Sequence, residues 1–284
     1  MSETSLKSAI PAMVNALEYL SSKSNNVEEG DYIGEDGLLY CGKCHTRKQS
    51  RINILGEERT PFCMCKCKAE KVKEEERRRE IAKKAEEYRD NAFDDREMLN
   101  WTFANDDGGN ERVTNAMKRY CDNFSVFVKQ GKGLLLYGDV GRGKTYAAVS
   151  VVNELINRGY PCKATDFKRI ENDLNDRNTQ RNAYLDEFRK YALLVIDDLG
   201  AERKSEYMQE IVYNVIDSRY RWGLPFIVTT NLSIEEIKSP TDMSFKRIYS
   251  RILERCHPVL VDGKDRRRMK IRNEYDDMND LLGL

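Results

Sequence analysis

Residues Gly138 to Thr145, Gly-Asp-Val-Gly-Arg-Gly-Lys-Thr, follow an apolar run, Leu134 to Tyr137, and precede a helical pattern, Tyr146 to Asn157. The spacing GxxxxGK[ST] between a strand and a helix is that of a phosphate-binding loop, a motif that belongs to parallel α/β sheets. Its glycines let backbone N–H groups wrap an anion where a Cβ would intrude and where left-handed angles are needed. The first turn of the following helix adds partial positive charge. Gly138, Asp139, Val140, Gly141, Arg142, Gly143, Lys144 and Thr145 are therefore expected to hold a nucleoside triphosphate. Lys144 would serve the β and γ phosphates, and the Thr145 hydroxyl would ligate magnesium.

The rest of the chain supplies partners for such a loop. Leu193 to Ile196 form an apolar strand that ends in Asp197 and Asp198, which aims carboxylates at a metal from a strand's C-terminal end. Asp197 is expected to hold magnesium through water and Asp198 to polarise the attacking water, with Glu202 as its alternate. The strand Phe226 to Thr230 runs into Asn231, an amide placed to sense the γ phosphate or orient the water; the alternative is a turn or a helix cap. Arg247, Arg251 and Arg255 are spaced by four and share a helical face. Arg251 is the candidate for a finger reaching a neighbouring subunit's nucleotide; the alternative is plain surface charge.

Gly133 to Tyr137, Cys162 to Phe167, Ala192 to Ile196, Phe226 to Thr230 and Val259 to Val261 read as strands separated by helix-length patterns. That alternation predicts a largely parallel sheet flanked by helices. The 284 residues suffice for one such core and one appendage. Lysines plus arginines equal the acids at 48 each, so no global basic field marks a bulk coater of nucleic acid, and any DNA contact must be local. Met1 to Ser8 carry no leader pattern, and the longest apolar runs are strand-sized, so no membrane association is expected.

Five of the eight cysteines crowd between Cys41 and Cys67. Cys41 and Cys44 form a CxxC knuckle; Cys63, Cys65 and Cys67 form a second cluster. Paired clusters of this kind suit tetrahedral zinc in a reducing cytoplasm better than a disulfide framework. The expected ligands are Cys41, Cys44, Cys65 and Cys67, with Cys63 or His45 as substitutes. With four protein ligands the site is structural.

Three segments are expected: residues 1–69 with an N-terminal helix and the zinc module, a charged linker helix over 70–92, and the nucleotide-binding domain over 93–284. Ile10, Met13, Leu17 and Leu20 lie on one helical stripe. The run from Glu70 to Asp90 is rich in helix formers, with i,i+4 pairs such as Glu75 with Arg79 and Glu80 with Lys84.

The succession TFANDDG, GLLLYGDVGRGKT, LLVIDDLGAER, SEYM, FIVTTNL, RIYSRILERC and GKDRRR resembles the DnaC-type, IstB-like AAA+ ATPases over Trp101 to Arg268. CGKCHTRKQ and FCMCKC resemble the zinc module such loaders carry in front of the ATPase. The resemblance implies an AAA+ core that binds and hydrolyses ATP, oligomerises with it, grips single-stranded DNA and places a replicative DnaB-type helicase upon it; turnover is expected to be slow because of the departures at Asp139, Arg142 and Asp198. It also implies Walker A residues at Gly138 to Thr145, Walker B acids at Asp197 and Asp198, a sensor at Asn231, a trans arginine at Arg251 and a second sensor at Arg266 or Arg267. The sequence departs from that pattern at Asp139 and Arg142, where proline or serine and threonine are more usual, and at Asp198, where glutamate is usual. Too few residues follow Val261 for a full helical lid. A transposase-assisting ATPase of the IstB type and a nonhydrolysing ATP-dependent adaptor are the alternative functions.

Overall fold

The computed structural model describes residues 27–54, 56–176, 181–201, 205–240 and 242–266, and scattered positions beyond. The expected N-terminal helix, Glu202 and Arg267 lie outside the described residues. Two compact units divide the chain, one ending at Glu80 and the other beginning at Ile81.

The first unit is built on two short antiparallel hairpins. Strands β1 (Tyr32–Ile33) and β2 (Leu39–Tyr40) pair Tyr32 with Tyr40. Strands β3 (Ile52–Ile54) and β4 (Glu57–Arg59) pair Ile52 with Arg59. Among the described residues of this unit little apolar surface is buried, and modules with so small a core usually rely on a cross-link of another kind. Buried Cys41 and Cys65 lie among its few core residues.

Helix α1 (Lys66–Ala92) covers the predicted charged run. Its buried residues are Ala85 and Ala92. Ion pairs on its surface join Glu74 to Arg77 at 2.8 Å and to Arg78 at 3.1 Å, one residue off the expected Glu75 to Arg79 pair. On a helix with charges at almost every position, several i,i+3 and i,i+4 partners compete and rotamer choice decides among them.

The second unit is a five-stranded parallel sheet of order β6-β7-β8-β5-β9. Its strands are β5 (Gly133–Tyr137), β6 (Cys162–Asp166), β7 (Leu193–Leu199), β8 (Phe226–Thr230) and β9 (Cys256–Leu260). Two helices, α2 (Glu111–Asp122) and α3 (Phe124–Gln130), precede β5. The crossovers use α4 (Lys144–Asn157), α5 (Phe167–Asp176), α6 (Arg181–Glu187), α7 (Glu206–Trp222), α8 (Ile234–Lys238) and α9 (Met243–Arg255).

The two-residue period of a strand sorts the apolar runs into two cores. Leu135, Leu194, Ile196, Phe226 and Val228 face α5, α7 and α9. Leu134, Leu136, Leu193, Val195 and Ile227 face α2 and α4. Both faces are covered, which explains why these strands read as unbroken apolar runs rather than alternating ones.

Three strands differ from expectation at their ends. Strand β7 runs from Leu193 to Leu199 rather than from Ala192 to Ile196, so Asp197 and Asp198 lie within it, and β9 stops at Leu260 rather than Val261. Phe167 opens α5 rather than closing β6, because Asp166 accepts from the Arg169 N–H at 2.8 Å and caps that helix. Strand β9 begins at Cys256, three residues before the expected Val259, and runs through His257 and Pro258. At the sheet's edge a proline forfeits no ladder bond on its open side, so Pro258 does not stop the strand.

Candidate nucleotide site and thiol cluster

The C-terminal ends of β5, β7 and β8 open onto a cleft of about 630 Å³, the place where parallel sheets hold ligands. It is lined by Gly141, Lys144, Thr145, Asp197, Asp198 and Asn231, among others. The predicted loop stands between β5 and α4, with Gly141 at φ 80° and Gly143 at φ 91°. Both angles lie in the left-handed region that glycine enters without steric cost.

Lys144 is buried at the foot of the loop. Its ammonium donates to the carbonyls of Gly138 and Asp139, each at 2.8 Å, and to Asn231 Oδ1 at 2.7 Å. Asn231 Nδ2 in turn donates to Asp198 Oδ1 at 2.8 Å. Asn231 therefore touches two cleft residues, while the helix cap belongs to Ser233, which forms a capping box with Glu236 at the start of α8.

Thr145 Oγ1 donates to Asp197 Oδ2 at 3.2 Å. The other oxygen of Asp197 accepts from Thr229 Oγ1 at 2.5 Å. Burial pushes the Asp197 carboxyl above the ordinary carboxylate range, and the Thr229 and Thr145 hydroxyls pull it part of the way back. A half-buried acid beside a hydroxyl, with a lysine close by, is a donor set of hard oxygens that fits magnesium and a phosphate oxygen.

Asp139 and Arg142, the unusual loop residues, pair with each other at 3.2 Å, and Arg142 also donates to the Gly263 carbonyl. The two charges thus answer one another. Arg266 joins the cleft: its backbone N–H donates to the Gly141 carbonyl at 2.9 Å, and its guanidinium pairs with Asp106 at 2.9 Å and Asp107 at 3.3 Å. Arg251 is not among the residues lining the cleft. It pairs with Asp217 at 2.9 Å and lies over the Tyr213 ring, 4.9 Å from its centroid.

Several site residues escaped the sequence reading. Thr229 looks like one more β-branched strand residue, Tyr146 like any helix residue after the loop, and Trp101 like a domain-boundary aromatic. Trp101 stacks on Tyr146 at 5.8 Å, and the Arg266 guanidinium sits over the same Tyr146 ring, 5.8 Å from its centroid. Only the position of Tyr146 immediately after Thr145 could have flagged it.

In the first unit, Cys41, Cys44, Cys65 and Cys67 bring their sulfurs within 4.8 Å of one another. Cys41 Sγ lies 3.7 Å and Cys65 Sγ 3.4 Å from Cys67 Sγ. A zinc tetrahedron with bonds of about 2.3 Å has edges of roughly 3.8 Å, so the cluster has the right size. Thr46 ties its halves together, with its hydroxyl 3.1 Å from Cys44 Sγ and accepting from the Lys66 N–H at 2.9 Å. The Thr46 contact pulls the Cys44 thiol down to about 5, while sharing a hydrogen with Cys65 pushes Cys67 up to about 12. The two substitutes stay out of the cluster: Cys63 is exposed, with Sγ 3.6 Å from the Arg47 carbonyl, and His45 Nδ1 meets the Tyr32 hydroxyl at 3.3 Å.

The family model of the IstB-like ATP-binding proteins matches residues 65–274, well over half of the chain. The chain belongs to that family. Among curated proteins, it is 29% identical over 171 residues to the replicative helicase loader DnaI of Bacillus subtilis, covering 55% of this chain and 53% of the relative. It is 28% identical over 125 residues to the replicative helicase loader DnaC of Escherichia coli K12, covering 43% and 48%. The chain thus spans about half the length of these curated relatives. A crystal structure of DnaI superimposes with TM-score 0.52 at 27% identity, covering 62% of this chain and 95% of that one. The parallel sheet flanked by helices is that of a P-loop AAA+ core, as the resemblance implies. Among the described residues no helix is long and apolar enough to cross a membrane.

Proposed function

We propose that this chain is a cytoplasmic helicase-loading ATPase. It binds ATP with magnesium, oligomerises, holds single-stranded DNA and delivers a replicative DnaB-type helicase onto it. The observation that carries this reading is the cleft joining Lys144, Asp197, Asp198 and Asn231 at the strand ends, in a core similar to DnaI.

In this reading the N–H groups of Gly138 to Lys144 bind the phosphates, and the Lys144 ammonium exchanges its loop carbonyls for phosphate oxygens. Thr145 and Asp197 hold magnesium, which supplies charge neutralisation when bound. Asp198, tied to Asn231, receives the proton of the attacking water, and Asn231 orients that water. Arg251, half-buried against Asp217, serves the site of a neighbouring copy. The thiol cluster holds one structural zinc. Residues 1–69 engage the helicase, residues 70–92 act as linker, and residues 93–284 form the ATPase.

The test is retention of the cognate replicative helicase by the immobilised full chain. Retention should be strong with ATP and fall with Lys144→Ala or after zinc chelation. If no helicase is retained under any nucleotide condition, the transposase-assisting function of the IstB type takes its place.

A further inference from the structure

The two acids at the end of β7 do not sit there by regular strand geometry. Along the β7/β8 pair the register runs Ile196 to Val228 and then Leu199 to Thr230, with an irregularity between. Two residues of β7, Asp197 and Asp198, therefore stand opposite one residue of β8, Thr229. This is a β-bulge, which re-aims side chains and leaves a backbone group without its ladder partner. Asp198 takes the left-handed conformation the bulge demands, at φ 57°, an angle an aspartate tolerates better than a branched residue.

Thr229 repairs the ladder and does more. It is 1% exposed. Its Oγ1 accepts the Asp198 N–H at 2.9 Å and donates to Asp197 Oδ1 at 2.5 Å. One hydroxyl thus fixes the backbone of one acid and the carboxylate of the other. With Oδ1 engaged, Asp197 turns Oδ2 to Thr145, and with its N–H engaged, Asp198 turns Oδ1 to Asn231. The next residue offers a contrast. Thr230 is as deeply buried, but its Oγ1 donates to the Leu199 carbonyl at 2.6 Å and reaches neither acid.

We propose that Thr229 is a positioning residue for the nucleotide site: its hydroxyl, lodged opposite the two-residue bulge, sets Asp197 on the magnesium side and Asp198 on the water side. This rests on the reading of the cleft as a magnesium-ATP site, and not on the helicase. Valine has the shape of threonine but neither donates nor accepts, whereas serine keeps the hydroxyl. Outer partners that orient a metal-ligating carboxylate are typically worth ten- to a hundredfold in metal affinity or activity.

The experiment measures binding of a fluorescent ATP analogue to the full chain with EDTA and across a magnesium titration. Thr229→Val should raise the magnesium concentration at half-saturation about tenfold or more, while binding in EDTA stays within about twofold; Thr229→Ser should stay within about threefold of the parent throughout. Circular dichroism reports folding, and Thr229→Ala replaces the valine form if that does not fold. A valine form with the parent's magnesium dependence overturns the proposal. So does a serine form as impaired as valine, since shape rather than the hydroxyl would then matter. Failure to retain helicase leaves these readings intact, whereas a parent chain that binds no ATP overturns both the site and Thr229's role in it.

Discussion

The Lys144 ammonium donates to Asn231 Oδ1 at 2.7 Å, which links the phosphate loop to the tip of β8 across the cleft. Through the Asn231 amide the link continues to Asp198. The group that would meet the γ phosphate and the group that would polarise water are thus one residue apart in a hydrogen-bonded chain. Phosphate oxygens have to replace the carbonyls of Gly138 and Asp139 around the ammonium, an exchange favoured because both new partners are charged.

Removing the cation should therefore abolish binding. Lys144→Ala is expected to show no ATP binding at concentrations that saturate the parent. Asn231→Ala should bind ATP within a few-fold and lower turnover about a hundredfold, the scale seen when one preorganised donor is deleted. Nucleotide binding by fluorescence and steady-state hydrolysis separate the two effects.

Asp198 carries both an acid and an unusual backbone. Asp198→Asn should keep the fold and ATP binding while lowering hydrolysis about a hundredfold, within the range for a lost general base. Asp198→Val should in addition lose about 1–2 kcal/mol of stability, because a branched side chain is forced into the left-handed region. Urea unfolding beside an ATPase assay reads both. Hydrolysis by Asp198→Asn at the parent rate would move the base elsewhere in the cleft.

The thiol cluster predicts one zinc per chain by elemental analysis. Cys41→Ser and Cys65→Ser should each lose the metal and unfold the first unit, whereas Cys63→Ser should keep both, since Cys63 stands outside the cluster. Chelation should reproduce the serine effects at Cys41, because so small a core has little else to hold it.

Arg219 is fully buried in α7 and pairs with no acid among the described residues. It donates to the carbonyls of Phe188 at 3.1 Å, Tyr191 at 2.8 Å, Ala192 at 3.4 Å and Pro225. Burial pushes its pKa down to about 9, so it stays charged at neutral pH. Those carbonyls precede β7, which carries Asp197, and β8, which Asn231 follows. Arg219→Met should cost about 3–5 kcal/mol in unfolding of the second unit, since it orphans several buried acceptors at once.

By itself the sequence determined the phosphate loop, the largely parallel sheet and the two cysteine groups that fit one metal, because each depends on local spacing; that Cys65 and Cys67 close the cluster while Cys63 and His45 stay out was decided by folding. Glycines, a lysine and a threonine at fixed intervals suit one backbone path, and unbroken apolar runs suit strands covered on both faces. Only the tertiary structure decided that Thr229 faces both acids, since a bulge arises from how β7 and β8 are matched and leaves no mark in either strand alone. Likewise only folding brought Asp106 to Arg266 and Asp217 to Arg251. These are contacts between distant segments, where charge in the sequence names the possible partners and packing selects among them.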